Sequence, residues 1–508
     1  MLSPSQKTSG FETIVVMGGQ FVQLVLTFGT SMMIARILNA EGYGVVNLLK
    51  TLFVTVASIA PLGLDLALLK YCGKNAPDDP VFLATTRILR QIALGFSALL
   101  VLILSSAVYF TPLGAIYTYK HFNELFLITI IALPFAVDTA IQGALYKSNG
   151  QAAQYSYMTQ YLQSFTRLSL VILAALFSPS LETIIWISTI QLIASSFALF
   201  VHRGVKQASP TLAAKPAKYE FKKSWSVKSW SQAKSVLSVS IWMCASLFAY
   251  GLMRTGDLMF LGAYSTAQNL GEYAALSTVA QLILFYPIAA SQSLGPDVSR
   301  DFHAGHMGNL RDRLYNYTFS AAIVSGFVFG GVAIFGERLD LIFGSSFHFQ
   351  PLVCFMIAFS QFISATLAPT GYALSMTGHH RAENIIILAG CGVLIALSIL
   401  LVPSYGQVGA AAAALISVLS LNLVRFYAIK KTIGVWPFQL QSLFPPIIAV
   451  ILAYVCHSFD NFMGGRTLII TFVSCLAYTV LYGIFCYFFF IQHSLKQKIH
   501  QRLKRMIS

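Results

Sequence analysis

Four basic residues lie where a charge is costly, inside or at the end of long apolar stretches, and they are the residues best suited to bind a ligand. Lys50 stands about seven residues into one apolar stretch, with no acidic residue three or four positions away. Arg254 and Arg167 lie in later stretches, and Arg36 ends the first one. A cation at such a place faces protein or a water-filled cavity rather than lipid. We therefore expect Lys50, Arg254, Arg36 and Arg167 to line a cavity that attracts an anionic group such as a phosphate.

Three aspartates in the same kind of stretch are the acidic counterparts of these cations. Asp65, Asp138 and Asp257 could each bind a coupling ion or pair with a neighbouring cation. Arg254 and Asp257 are three positions apart, so they would meet on one face of a helix. For Arg36 and Asp65 the alternative interpretation is placement at the interface between membrane and water.

No motif in the sequence indicates catalysis, a metal site or a cofactor. The sequence has no GxxxxGKS or GxxxxGKT loop, no HExxH, no CxxC and no GxSxG, and these are the signatures of built-in ATPases, zinc sites, redox pairs and serine hydrolases. The seven cysteines show no metal-type spacing and lie mostly in apolar stretches, where cysteine is usually a small buried hydrophobe. We therefore expect no catalytic residue, no metal and no cofactor.

The composition is that of a membrane protein. The 508 residues are 56% hydrophobic and 10% charged, with a mean hydropathy of +0.70, whereas a soluble chain carries about 25% charged residues. Because apolar runs of about 20 residues cross a bilayer as helices, the sequence predicts an all-α, polytopic membrane protein with about 14 transmembrane helices. The expected spans are 12–36, 43–69, 84–110, 122–147, 155–177, 182–202, 236–263, 271–294, 312–336, 350–376, 383–402, 407–429, 441–457 and 467–490.

The distribution of positive charge predicts the orientation of these spans. With the N-terminus in the cytoplasm, 26 of the 33 Lys and Arg residues fall on the cytoplasmic side, 4 on the outer side and 3 within spans. Positive residues concentrate in cytoplasmic loops, so we expect an inner-membrane protein with both termini in the cytoplasm. The formal net charge of +15 then requires no nucleic acid, and the basic segments 203–234 and 491–508 either set the topology or lie on anionic membrane lipids.

The two halves of the chain look related. Three turn signals of the first half recur in the second at offsets of 230, 228 and 224 residues, which predicts two six-helix bundles in parallel orientation plus two C-terminal helices. The paired signals are Gly42-Tyr43 with Gly271-Glu272-Tyr273, Asn149-Gly150 with Thr377-Gly378, and Pro179-Ser180 with Pro403-Ser404. The predicted organisation is an N-terminal six-helix bundle at 1–202, a cytoplasmic basic linker at 203–234, a C-terminal six-helix bundle at 235–435, two additional transmembrane helices at 436–490 and a basic cytoplasmic tail at 491–508.

Three segments carry a resemblance to a known family. ARILNAEGYGVVNLLKTLF followed by PLGLDLALLKY resembles the opening of Wzx-type polysaccharide flippases, which belong to the multidrug/oligosaccharidyl-lipid/polysaccharide exporter superfamily. RTGDLMFLGAYSTAQNLGEYAALSTVAQLI resembles the opening of their second half, and LLVPSYGQVGAAAAALIS resembles a late signature. The resemblance covers roughly residues 11–435. It implies two bundles around a central cavity, and fourteen spans are closer to the lipid II flippases than to the many members with twelve.

The resemblance implies a function, with alternatives from two classes. The implied function is translocation of a polyprenyl-diphosphate-linked oligosaccharide from the cytoplasmic to the outer leaflet, for cell-surface polysaccharide biosynthesis. A polysaccharide polymerase and glycosyltransferases are the candidate protein partners. A cation-coupled multidrug exporter of the same superfamily would need an acidic cavity, which Asp65, Asp138 or Asp257 could supply. A membrane polysaccharide polymerase or ligase, the enzyme alternative, would need a large outer loop, and the outer loops expected here are short.

Overall fold

The computed structural model describes residues 4–72, 80–110, 116–117, 119–148, 151–177, 179–208, 227–463 and 468–490. Within these ranges the chain is helical with short connections and no strand, so the predicted all-α membrane fold is confirmed. The helices are α1 (Pro4–Ile59), α2 (Leu64–Cys72), α3 (Pro80–Phe110), α4 (Phe122–Ile130), α5 (Leu133–Ser148), α6 (Ala152–Phe177), α7 (Leu181–Ala208), α8 (Val227–Tyr264), α9 (Ala267–Ala280), α10 (Phe285–His303), α11 (Met307–Phe335), α12 (Pro351–Met376), α13 (His380–Thr432), α14 (Phe444–Phe462) and α15 (Leu468–Phe489).

Each of the fourteen predicted spans coincides with a helical segment. Eleven segments are long and apolar enough to cross a membrane by length and composition. Two of them, α1 and α13, are each two helices joined at a kink with positive φ, at Asn39 (φ 58°) and Gly406 (φ 53°). Helix α13 covers two predicted spans, whereas α1 covers the first and most of the second, which continues past a turn at 60–63 into α2. The predicted eighth span coincides with α9, a short 3₁₀ turn and α10.

Packing divides the chain into two units. The first consists of Met1–Ala274 and Ser398–Gly406, and the second consists of the rest. In the first unit α8 packs against α1, α2 and α3, so packing assigns the seventh span to this unit. The bundle boundaries predicted at 1–202 and 235–435 stay a prediction about the repeat. Most of the predicted linker and the whole predicted tail lie outside the described residues.

Within the first unit, the second half of α1 crosses the start of α9 at very short range. A Cβ atom at Gly271 would lie 1.8 Å from the carbonyl oxygen of Ala40, and one at Gly44 would lie 2.4 Å from that of Ala267. Small residues four positions apart on both helices permit such a close crossing, as is typical of helix contacts in membranes. The crossing therefore requires glycine at both positions.

The second unit is built around α11, which packs against α10, α12 and α14. Two tyrosines of α15 dock that helix on α11: Tyr478 donates to the carbonyl of Phe327 at 2.6 Å and Tyr482 to that of Ile323 at 2.9 Å. Because buried phenols need acceptors, these bonds fix the C-terminal helix pair to the unit.

Candidate functional site

The second half of α1 carries Lys50 on the same helical face as Tyr43 and Asn47, since the three residues are four and three positions apart. Tyr43 is buried, and Asn47 donates to its carbonyl oxygen at 2.9 Å. The Lys50 side chain keeps solvent-accessible surface although protein surrounds it closely. Its place in a cavity stays a prediction, since the polar cavity described below is lined by Arg167 rather than by Lys50.

Helix α6 contributes the second cation, Arg167. The helix contains a π-helical stretch, Tyr157–Leu162, shortly before it, and such stretches often occur at functional sites. Arg167 lies within electrostatic range of Tyr43. Its Nε is buried and has no hydrogen-bond partner in the described part of the chain. A buried guanidinium donor without an acceptor is costly, so the geometry favours a ligand that would accept from it.

The third cation, Arg254, comes from α8. The charges of Arg167 and Arg254 both act on the Lys50 ammonium, so the first unit gathers three cations from three different helices. We call Lys50, Arg167 and Arg254 the cation triad. Like charges disfavour one another, so a site that gathers three cations favours an anionic ligand. Arg36 is exposed on the other side of the Asn39 kink and is not part of the triad.

A polar cavity of about 80 Å³ adjoins Arg167. Its walls present carboxamides and hydroxyls, which can bond to phosphate oxygens or sugar hydroxyls. Sequence reasoning missed these residues because they carry no charge, although Gln23, Thr27 and Thr30 recur at helical spacing within the first span. The lining residues are Gln23, Thr27, Thr30, Gln163, Ser164, Arg167 and Gln191.

Protein donors engage two of the three candidate aspartates. Oδ1 of Asp138 forms an ion pair with Arg90, and its Oδ2 accepts from Gln142 and Ser196. Oδ2 of Asp257 accepts from the phenol of Tyr273 at 2.6 Å. Each carboxylate is therefore held by hydrogen bonds of the fold.

Asp65, in the first turn of α2, differs from the other two aspartates. Its Oδ1 is buried without a hydrogen-bond partner among the described residues, and the charge of Lys147 acts on it. Within the same residues, no group of three or more His, Cys, Asp or Glu side chains could hold a metal ion.

In the second unit the main charges of the helix ends are paired. Arg425 of α13 forms an ion pair with Glu383 of the same helix, across the Gly406 kink. Arg313 of α11 bonds to Asp301 of α10 at 2.8 Å. These pairs join helix ends within the unit.

Comparison with known proteins assigns the family. A family described as polysaccharide biosynthesis protein matches residues 10–300, which is more than half of the chain. The chain belongs to this family. The resemblance noted in the sequence is thereby confirmed. The chain is also 20% identical over 261 residues to the probable low-salt glycan biosynthesis flippase Agl15 of Haloferax volcanii, covering 51% of this chain and 54% of that protein. It thus spans about half the length of the curated relative that it matches.

The fold of this polysaccharide biosynthesis family member is shared with solved transporters. The lipid II flippase MurJ, in an inward closed conformation, matches with a TM-score of 0.67 over 93% of this chain and 99% of its own, at 14% identity. An inward-facing multidrug resistance MATE family transporter of the MOP superfamily matches with 0.63 over 83% and 99%, at 12% identity. At such identities the similarity shows the fold alone. The chain is a multi-pass membrane protein with this fold, and the proteins it resembles are flippases and transporters.

Proposed function

We propose that this protein is a flippase that moves a polyprenyl-diphosphate-linked oligosaccharide from the cytoplasmic to the outer leaflet of the inner membrane, for cell-surface polysaccharide biosynthesis. The cation triad is the observation that carries the proposal. Lys50, Arg167 and Arg254 come from three helices of the first unit, and both arginines act on the lysine. Such a field suits a compact, highly charged anion, and a diphosphate is one.

The proposed reaction must move a charged diphosphate across hydrocarbon, and the cation triad would lower the cost of that step. A diphosphate cannot enter hydrocarbon without its hydration shell, because the transfer of an unpaired charge is too costly. A cavity with several fixed cations replaces that hydration, while the polyprenyl tail remains in lipid. The neighbouring carboxamides and hydroxyls beside Arg167 can bond to the phosphate oxygens or to the first sugar.

The alternative within the superfamily is a cation-coupled multidrug exporter, and the similarity to MATE transporters fits it as a matter of fold. An acidic site for an organic cation is less well supported than an anion site, because Asp138 and Asp257 are held by protein donors. Asp65 is the acidic residue that the alternative would use. The proposal also implies that both termini are cytoplasmic. The expected protein partners are glycosyltransferases and a polymerase, on the two sides of the membrane.

The test is the leaflet in which the lipid-linked intermediate accumulates. In a strain that lacks this gene, the intermediate should collect in the cytoplasmic leaflet, where externally added glycosidase cannot reach it. Restoring the wild-type gene should return it to the outer leaflet. Equal accessibility of the intermediate in both strains would refute the proposal.

A further inference from the structure

A pocket of about 460 Å³ opens at the end of α3 and the start of α4, and no residue of the cation triad is among its described lining residues. Three tyrosines line it, Tyr109, Tyr117 and Tyr119, together with residues 121–124. We call it the tyrosine pocket. Its volume falls within the roughly 300–1,000 Å³ typical of small-molecule sites, and the proposed transport reaction gives it no role.

The aromatic walls of the tyrosine pocket are held in place. The phenol of Tyr119 lies 2.7 Å from the carbonyl oxygen of Gly262 and 3.1 Å from that of Ser265, so it ties this loop to the end of α8. The Tyr117 ring packs against the buried Phe122 with 4.9 Å between ring centroids. The ring faces are therefore arranged before any ligand arrives.

The polar groups of the tyrosine pocket include a carboxamide, two phenols and a carboxylate beside a histidine. Oδ1 of Asn123 is buried and has no hydrogen-bond partner among the described residues. It is therefore an unsatisfied hydrogen-bond acceptor. Nδ1 of His121 lies 3.2 Å from Oε2 of Glu124. Burial raises the pKa of Tyr117 and Tyr119 to about 12, so both phenols are protonated at neutral pH.

We propose that the tyrosine pocket binds a sugar residue of an oligosaccharide on the outer side of the membrane. Ring faces cover the C–H faces of a pyranose, and a carboxamide oxygen accepts from its hydroxyl groups. The outer location follows from the predicted topology, in which α3 runs outward from a basic cytoplasmic loop. The source of the sugar rests on the proposed function: the pocket would hold the oligosaccharide once it has been delivered to the outer leaflet.

An aromatic cage for an organic cation is the other chemistry that tyrosines could serve. One observation favours the sugar over the cation that the exposed Glu124 carboxylate beside His121 would attract. The unpartnered Asn123 oxygen requires a hydrogen-bond donor, and a quaternary ammonium has none.

The experiment measures binding of the free oligosaccharide to the full-length protein in lipid nanodiscs by saturation-transfer NMR. The probe is the oligosaccharide released by mild acid from the strain's own lipid-linked intermediate, and tetramethylammonium is the second probe. Tyr109→Ala and Asn123→Ala should each weaken oligosaccharide binding about fivefold or more. Tyr250→Ala is the matched control, because Tyr250 has the same exposed fraction as Tyr109, 58%, but lies on α8 outside the pocket lining.

Three outcomes would overturn the inference: no oligosaccharide binding to the wild type, unchanged binding in both pocket variants, or pocket-dependent binding of tetramethylammonium alone. The result separates this inference from the proposed function. If the gene deletion leaves the leaflet distribution unchanged while the oligosaccharide still binds in the pocket, the transport proposal fails and the sugar site stands. If the lipid-linked sugar is flipped but neither pocket variant weakens binding, the sugar site fails alone.

Discussion

Nε of Arg90 lies 2.6 Å from Oδ1 of Asp138, and this ion pair ties α3 to α5 within the first unit. The other carboxylate oxygen accepts from Gln142 at 2.5 Å and from Ser196 at 2.9 Å. A buried carboxylate with this many donors is anchored by the fold. The arrangement gives Asp138 a structural role in holding three helices together, since Ser196 comes from α7.

Asp138→Ala should therefore lower the stability of the protein. The change leaves Arg90, Gln142 and Ser196 without their acceptor, and we expect a loss of about 1–3 kcal/mol in the free energy of unfolding. Thermal unfolding of the purified protein in detergent measures it. Asp312→Ala is the control, because Asp312 and its partner Arg311 are both exposed and such a pair contributes about 0–1 kcal/mol. Equal losses in the two variants would contradict the structural role of Asp138.

Lys50 should be required for transport but not for folding. Lys50→Ala and Lys50→Glu remove the cation on which both arginines act, so we expect export of the lipid-linked sugar to fall about tenfold or more with near-normal expression. Lys50→Arg should keep part of the activity, because it retains the charge while changing its geometry. The exposed Lys120 is the control, since Lys120→Ala should leave export unchanged. Full export in Lys50→Ala would remove Lys50 from the site.

The triad should behave as a unit toward one anionic group. Lys50→Glu and Arg254→Glu should each abolish most export, and the double variant should be no worse than the worse single variant, because groups that serve one ligand are not additive. Export of the lipid-linked sugar, measured in all three strains, tests this. Losses that multiply in the double variant would mean that the two cations act independently.

The same strains, together with aspartate variants, separate the flippase from the drug exporter. A drug exporter would depend on its carboxylates, so Asp65→Asn or Asp257→Asn should abolish dye efflux while the Lys50 and Arg254 variants keep it. A flippase should lose sugar export in the Lys50 and Arg254 variants and lose less of it in the aspartate variants. Abolished dye efflux in the aspartate variants, together with intact sugar export in the basic ones, would rule out the flippase.

The charge distribution makes a prediction about topology. In a cysteine-free background, Lys120→Cys and Ser345→Cys, both at exposed sites, should react with an impermeant maleimide added to intact cells. Lys228→Cys, at the exposed start of α8, should react only after permeabilisation, because it follows the basic loop 203–234. Labelling of Lys228→Cys in intact cells would reverse the orientation of the whole chain.

The crossing of α1 and α9 should not tolerate a side chain. Gly271→Ala places a methyl group against the carbonyl of Ala40, and we expect overpacking to cost about 1–3 kcal/mol. Gly29→Ala is the matched control, because nothing lies within 4 Å of its Cβ position and alanine suits a helix better than glycine. Melting temperatures of the two purified variants decide the point. A Gly271→Ala protein as stable as the wild type would mean that the helices can separate there without cost.

Much of the fold could be predicted from apolar length alone. Each expected span coincides with a helical segment, because backbone groups in lipid must bond within their own helix. The sharp kinks that join two helices in α1 at Asn39 and in α13 at Gly406 could not be predicted, since composition does not show how the chain bends between two spans. The sequence also could not predict that α8 packs in the first unit, because that packing joins helices distant in sequence.

The candidate site was predictable in its residues but not in its grouping. A charge in an apolar run is visible in the sequence, and this singled out Lys50, Arg167 and Arg254. Helical periodicity predicts which face of a helix a residue lies on, but not which residues of other helices lie near it. The sequence therefore could not show that Arg36 lies apart from the cation triad. The tyrosine pocket was missed because tyrosines are common at membrane boundaries, and their spacing at the end of a helix and in the following loop carries no signal.

The composition of the first unit has a consequence for how the protein is made. Helices α1 to α7 leave the ribosome before α8 and α9, yet Gly63 lies against the backbone of Ser240 and Cys244, and Gly44 against that of Gly271. Until those later residues are inserted, the early helices expose bare glycine surfaces to the bilayer. The first unit cannot close before Ala274 has been synthesised, and it also includes Ser398–Gly406. A fragment cut in the 203–234 loop would therefore be a stalled biosynthetic intermediate rather than half a transporter.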